Sequence, residues 1–186
     1  MALSTPRTDL IILDRDGVIN HDSDHYIKSP EEWQPIEGSI EAIARLHQAG
    51  IKVVVATNQS GIARGLYSEA TLQLIHAKMN QLIDEAGGKL AGIFFCPHGP
   101  DDGCDCRKPL PGLIQQIADT LKINPAGVPI VGDSLRDLVA GEALGCRPVL
   151  VRTGKGERTL ASGKISHETP VFDDLKSFVD ALLNNS

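Results

Sequence analysis

Short apolar runs alternate along this chain with segments of helical period. Leu10–Leu13, Val53–Ala56, Ile93–Phe95, Ile130–Val131 and Val149–Val151 are rich in Val, Ile and Leu. They carry no polar alternation, as expected of strands in a parallel sheet covered by helices on both faces. Between them, Ile40, Ile43 and Leu46 share a helix face, and Gly50 follows as a stop. Leu72, Ile75, Met79, Leu82 and Ile83 form the clearest stripe, with Ser68 as N-cap and Gly87-Gly88 as terminator. Pro111 suits the first turn of a helix carrying Leu113, Ile114, Ile117 and Leu121. Leu135, Leu138, Val139 and Glu142 precede Gly145, and Phe172, Leu175, Phe178, Val179 and Leu182 predict a last helix. The alternation predicts a doubly wound, Rossmann-like, mostly parallel α/β sheet with helices on both faces. Ligands of such sheets bind outside the carboxyl ends of the strands. That singles out Asp14, Thr57, Cys96, Asp133 and Arg152, which follow the apolar runs directly.

Composition narrows the function. The 186 residues suit one domain spanning 1–186, and 41% apolar with 23% charged residues is ordinary for a folded, water-soluble chain. A net charge of −6 argues against nucleic acid or an anionic membrane as partner, both of which require a concentrated basic surface. It leaves room for a phosphorylated substrate bound by a few local cations. No apolar run approaches the roughly 20 residues of a membrane span, and Met1–Thr8 lacks the apolar core of a secretion signal. A cytoplasmic monomer is expected.

The candidate chemistry lies in two clusters. Asp14-Arg15-Asp16-Gly17 follows the first strand, and Gly132-Asp133 ends a later one, with Asp137 four residues on. A single Asp after a strand is commonly a helix cap. Two at separate strand ends, with Thr57-Asn58 at a third and Arg107-Lys108 nearby, are better explained by a shared site. Converging carboxylates repel unless a cation lies between them, and hard oxygen ligands suit Mg²⁺. The second cluster is Cys96-Pro-His98-x₅-Cys104-Asp-Cys106, which holds three of the four cysteines. A Cys₃His set of this kind predicts a closed, tetrahedral, structural Zn²⁺ site in a loop over 96–106. Because the loop runs straight into Arg107-Lys108-Pro109, zinc would shape the site rather than perform the chemistry.

The order of these motifs resembles the haloacid dehalogenase-like phosphohydrolases. Leu10-Ile-Ile-Leu-Asp14-Arg-Asp16-Gly is similar to their first motif and Val53-Val-Val-Ala-Thr57-Asn58 to their second. Lys108 corresponds to the third, and Ile130-Val-Gly-Asp133-Ser-Leu-Arg-Asp137 to the fourth. The resemblance implies catalytic roles for Asp14, Asp16, Thr57 and Lys108. Asp14 would be the nucleophile that forms an aspartyl-phosphate, and Asp16 the acid and then the base. Asp14, the backbone carbonyl of Asp16, and Asp133 would hold Mg²⁺, while Thr57 and Lys108 would bind the transferring phosphoryl oxygens. Asp137 would hold Lys108 or stand behind the metal. Ser134 occupies a position where many relatives carry lysine.

Two branches of that family carry a zinc loop, one acting on a heptose bisphosphate and one on histidinol phosphate. Thr57-Asn-Gln-Ser-Gly-Ile-Ala-Arg-Gly65 resembles the heptose branch, whereas the five-residue gap between His98 and Cys104 occurs in both. Removal of the C7 phosphate of a heptose 1,7-bisphosphate is therefore the expected reaction. It would feed ADP- or GDP-heptose and lipopolysaccharide core synthesis, and histidinol-phosphate hydrolysis is the alternative. By the same resemblance Asp22, Ser23, Asp24, His25, Asn58, Gln59, Ser60 and Arg107 would contact the sugar or its distal phosphate; Arg64 is a weaker candidate. Only about forty residues separate the first two motifs, so no cap domain is expected. A phosphoacceptor receiver module is the non-enzymatic alternative, and Asp16 together with the zinc loop argues against it. For Trp33 and Tyr26 packing is the expected reading and lining of the open site the alternative, while histidines 21, 25, 47, 76 and 167 are scattered as ordinary surface or packing residues are.

Overall fold

The computed structural model describes residues 8–184. In chain order the elements are β1 (Leu10–Leu13), α1 (Ser39–Gln48), β2 (Lys52–Asn58), α2 (Glu69–Glu85), β3 (Gly92–Cys96) and α3 (Gly112–Leu121). They continue with β4 (Pro129–Gly132), α4 (Leu135–Glu142), β5 (Arg147–Val151), α5 (Gly156–Ala161), β6 (Val171–Phe172) and α6 (Leu175–Asn184). The six strands form one sheet in the order β3-β2-β1-β4-β5-β6, and every pairing is parallel. This is the doubly wound architecture expected from the pattern.

Strand side chains alternate between two cores, although every residue of β1 and β4 is buried. Ile11, Leu13, Val53, Val55 and Val131 pack with Ile43, Leu46, Ile75, Met79 and Val179 under α1, α2 and α6. Leu10, Ile12, Val54, Ala56 and Ile130 face the opposite way, onto Leu113, Ile114 and Ile117 of α3 and Ala140 of α4. Burial on both sides explains the absence of polar alternation. Ser68 caps α2 by accepting from the Thr71 amide, as its position suggests.

Four local readings are corrected. Helix α5 and strand β6 were not legible, because α5 shows only Gly156 and Thr159 to the core and β6 is two residues long. Phe172 consequently belongs to β6, and the last helix begins at Leu175. In α4 the buried face is Asp137, Leu138, Ala140 and Gly141, while Val139 is exposed. The helix buries its smallest residues there because it packs close to the sheet; a side chain on Gly141 would strike Ile130. Pro111 stands at the N-cap of α3, just before its first turn.

The sheet order places the topological switch between β1 and β4, where chains leave the sheet toward opposite faces. Leu13 is in register with Val131, and the Asp14 amide donates to the Val131 carbonyl at 3.0 Å. Asp14 and Asp133 therefore emerge side by side at the carboxyl edge.

Candidate active site

Three carboxylates meet at this edge. Oxygens of Asp14, Asp133 and Asp137 all lie within 4.8 Å of one another; Asp133 and Asp137 are buried, and Asp14 is largely so. Burial, then the negative charge of Asp137, pushes Asp14 up to about 7 despite the pull of Lys108. Burial with the charges of Asp14 and Asp137 pushes Asp133 further, to about 9. Asp137 behaves differently: although burial opposes it, Lys108 holds its carboxyl below the ordinary range. Its Oδ1 accepts from Lys108 Nζ at 2.6 Å, and its Oδ2 caps α4 by accepting from the Ser134 amide and hydroxyl at 3.1 and 2.9 Å. Asp137 therefore holds Lys108 most closely, and the pair left short of positive charge is Asp14 and Asp133. Oxygen donors forced together and short of positive charge fit a hard divalent cation.

The loops around this pair admit no extra bulk. Gly17 and Gly154 both adopt positive φ, at 86° and 57°, and a β-carbon on either would collide with the Asp133 carboxylate. Asp133 is fixed from the α5 side, where its Oδ2 accepts from the Lys155 amide at 2.8 Å and its carbonyl from the Thr159 hydroxyl at 2.7 Å. The irregular stretch before α5 thus serves as a mount for one carboxylate.

Lys108 is 2% exposed and donates to Asp14 Oδ1 at 3.1 Å and to the Ala56 carbonyl at 2.7 Å, besides Asp137. Burial alone would lower its pKa, but Asp137 and Asp14 hold the ammonium well above its usual value. Asn58 clamps the Lys108 backbone from both sides, donating to its carbonyl and accepting from its amide, each at 3.0 Å.

Asp16 has a separate environment. Its Oδ1 accepts from Arg15 Nη2 at 2.8 Å, Arg15 Nε at 3.0 Å and Asn20 at 2.9 Å, and its Oδ2 from Gln59 at 3.0 Å. Burial works against ionisation, yet Arg15 and these donors hold its carboxyl below the usual range. Arg15 is wholly buried and also meets His76 Nε2 at 3.1 Å. Burial, reinforced by Arg15, pushes His76 down to about 3, so the ring is neutral and accepts the hydrogen bond. Thr57 is buried beside this group, its hydroxyl accepting from Gln59 at 2.9 Å.

Asp14, Asp16, Lys108, Asp133 and Asp137 line a cavity of about 310 Å³, whereas Arg15, His76 and the expected catalytic residue Thr57 lie buried behind its wall. Asp22, Ser23, Asp24, Asn58, Gln59, Ser60 and Arg107, expected at the substrate, are brought to the same wall. His25 is not; it is exposed, and the chain turns back there as Lys28 Nζ donates to its carbonyl at 2.8 Å. Asn58 and Gln59 line the wall, but their amide groups are engaged by Lys108, and by Asp16 and Thr57, rather than left for a ligand. The wall also contains Tyr26, Arg64, Tyr67, Arg136 and Lys155. Tyr26 thus follows the alternative reading, lining the site at positive φ of 66° with Arg64 over its ring at 5.9 Å, whereas Trp33 is fully buried as expected. Lys155 reaches Asp22 at 3.3 Å and so ties two loops across the cavity. Tyr67, Arg136 and Lys155 carry no sequence signal because each stands in a loop or first helical turn, where periodicity says nothing about direction.

Cys96, His98, Cys104 and Cys106 converge as a second ligand set. Cys96 Sγ lies 3.7 Å from Cys104 Sγ and 3.6 Å from His98 Nδ1, and Cys106 Sγ lies 3.5 Å from the same nitrogen. Arms of about 2.3 Å to sulfur and 2.0 Å to nitrogen give tetrahedral edges of about 3.8 and 3.5 Å, so these separations suit zinc. The 2.8 Å between Cys96 and Cys106 is shorter than such an edge. Cys96 ends β3 and Cys106 leads directly to Arg107 and Lys108, so the cluster joins the sheet edge to the lysine-bearing loop.

A parallel sheet with carboxylates after β1 and β4 and a carboxylate-held lysine at its carboxyl edge is the arrangement of a phosphoryl-transfer hydrolase. The chain belongs to the haloacid dehalogenase-like hydrolases and, within them, to the family of the D-glycero-β-D-manno-heptose-1,7-bisphosphate 7-phosphatases. The model of the haloacid dehalogenase-like hydrolases matches residues 11–84, and that of the HAD-hydrolase-like family matches residues 105–178. The chain is 56% identical over 177 residues to the 7-phosphatase of Bordetella bronchiseptica, covering 95% of this chain and 99% of that one. It is 58% identical over 174 residues to the Pseudomonas aeruginosa 7-phosphatase, covering 94% and 97%. Among solved structures, D,D-heptose 1,7-bisphosphate phosphatase from B. bronchiseptica, complexed with magnesium and phosphate, superposes with a TM-score of 0.94 at 55% identity. That match covers 96% of this chain and 100% of the other. The Burkholderia thailandensis phosphatase gives 0.75 at 48% identity, covering 95% and 99%.

Proposed function

We propose that this protein is a Mg²⁺-dependent phosphomonoesterase that removes the C7 phosphate of D-glycero-β-D-manno-heptose 1,7-bisphosphate. The observation that carries this reading is the pairing of an electron-rich Asp14–Asp133 cleft with a separately ionised Asp16 in one cavity, on a chain this similar to the heptose phosphatases.

The residues divide the reaction between them. Both hydrogen bonds to the Asp14 carboxylate, from the Arg15 amide and Lys108, go to Oδ1, which leaves Oδ2 as the oxygen for attack on phosphorus. Lys108 stabilises the non-bridging phosphoryl oxygens as charge develops on them, and Thr57, expected to share that role, would do so only if its buried hydroxyl turned from Gln59 toward the cavity. Asp16, charged in the free protein, takes up a proton as the anionic phosphate ester binds beside it, delivers that proton to the departing C7 oxygen, and regains one from the water that hydrolyses the aspartyl-phosphate. Asp14, the Asp16 carbonyl and Asp133 are the residues that would hold Mg²⁺, which when bound offsets the repulsion between phosphate and carboxylate. Zinc in the Cys₃His cluster would fix the loop that presents Arg107 and Lys108. Asp22, Ser23, Asp24, Ser60 and Arg107 would receive the sugar and its C1 phosphate, Arg107 by a planar, bidentate grip. His25 stays a candidate only through its backbone, since its side chain lies off the wall.

A cytoplasmic monomer of one domain acting in heptose supply for lipopolysaccharide core is consistent with this reading. No helix among the described residues is long and apolar enough to cross a membrane. The test is phosphate release from the heptose 1,7-bisphosphate compared with histidinol phosphate, with Mg²⁺ present. Clear preference for the bisphosphate supports the proposal, and preference for histidinol phosphate overturns it.

A further inference from the structure

Gln59 is buried, and its side-chain amide makes a bond at every one of its polar valences. One amide hydrogen goes to Asp16 Oδ2 at 3.0 Å and the other to Thr57 Oγ1 at 2.9 Å. Its carbonyl accepts from the Tyr67 hydroxyl at 2.6 Å and, more distantly, from Arg15 at 3.4 Å. An ionised carboxylate only accepts and a guanidinium only donates, so the amide turns its NH₂ to Asp16 and its carbonyl toward Arg15, and the Tyr67 hydroxyl braces that carbonyl by donating to it. Tyr67 is itself held in place: a side chain on Gly61 would collide with its ring.

The two oxygens of Asp16 are consequently unequal. Oδ1 receives three donors, two of them from the Arg15 guanidinium, whereas Oδ2 receives only Gln59. A proton is more readily carried on the oxygen with spare lone-pair capacity and no guanidinium on it. We infer that Gln59, braced by Tyr67, is a positioning residue that presents Asp16 Oδ2 as the proton-carrying oxygen. This replaces the expected direct contact of Gln59 with the sugar. It rests on the phosphatase reading above, in which Asp16 protonates the leaving group.

The proton balance supplies the test. An alkoxide leaving from a sugar carbon must be protonated as the P–O bond breaks, whereas p-nitrophenolate leaves as a stable anion and needs no acid. Hydrolysis of the aspartyl-phosphate requires Asp16 as base for both esters. Gln59→Leu and the milder Tyr67→Phe are compared with wild type on the sugar bisphosphate and on p-nitrophenyl phosphate, by rapid mixing as well as in the steady state. For Gln59→Leu, kcat on the sugar ester should fall by about 10- to 100-fold, within the range of a general-acid effect. Its KM should change less than about twofold, and the p-nitrophenolate burst rate should fall less than about threefold, because that half-reaction bypasses the acid. Slowed dephosphorylation should make the burst more prominent, and Tyr67→Phe should show the same pattern at smaller amplitude. Equal losses in the burst and on the sugar ester would overturn the inference, as would a rise in KM with kcat unchanged, the mark of a lost substrate contact. Wild-type protein that released phosphate from neither ester would overturn instead the phosphatase reading beneath it.

Discussion

Asp14 and Asp16 are two residues apart in the chain, yet they belong to regions with opposite electrostatics. On the β1–β4 side, Asp14 and Asp133 face each other with their pKa values raised to about 7 and about 9, and the nearest lysine is bound more closely by Asp137. On the β2–α2 side, Asp16 is enclosed by Arg15, Asn20 and Gln59 and held ionised. The first region is completed only by something positive from outside. In the second, the charge of Asp16 is met within the protein. A phosphatase that passes through an aspartyl-phosphate needs both, since its nucleophile must tolerate a metal and a phosphate while its acid–base group must remain a fixed, independent proton carrier.

The difference can be broken most severely at Asp14. Asp14→Asn should lower kcat by at least about a thousandfold, as loss of a covalent nucleophile does. Because it removes one member of a repelling buried pair, the metal-free variant should melt no lower than wild type by calorimetry; a collapsed fold would show Asp14 to be structural. Gly154→Ala forces a side chain against the Asp133 carboxylate and should raise the Mg²⁺ concentration for half-maximal activity by about 10- to 100-fold, measured by metal titration. Zinc removal reaches the same region indirectly, through the loop carrying Lys108. Chelation should lower kcat by roughly tenfold and reduce the melting temperature, with both recovered on adding Zn²⁺.

The smallest effect tests the closed side. His76 is held neutral with a pKa near 3, below its unfolded value of 6.5. Its contribution to stability is therefore fully present above pH 6.5 and lost as pH falls from 6.5 toward 3. His76→Gln keeps an acceptor for Arg15 but cannot be protonated. Its melting temperature relative to wild type should thus be more favourable at pH 5 than at pH 7.5; a constant difference would mean that His76 does not titrate between the folded and unfolded states.

Much of the fold was legible because the strands are buried on both faces and so appear as uninterrupted Val, Ile and Leu runs. Helices with a wide apolar stripe, such as α2, were equally plain. Helix α5 and strand β6 were not, since their order comes from hydrogen bonds to Asp133 and from pairing with β5 rather than from a hydrophobic face. Of the site, the residues that directly follow strands could be located, because strand ends converge whatever the loops do. The loop residues could not. Tyr26, Tyr67 and Lys155 reach the cavity through turns whose direction no periodicity encodes, and His25, beside Tyr26 in the chain, points away from it.

By itself, then, the chain determined the parallel sheet, the carboxylates at two strand ends and the Cys₃His set, all of which follow from residue type and spacing. Tertiary structure decided how the charges are shared: Lys108 to Asp137, Arg15 to Asp16 and His76, and little to Asp14 and Asp133. Charge sharing depends on distances of 3 Å and on exclusion of water, and both are properties of packing between segments far apart in sequence.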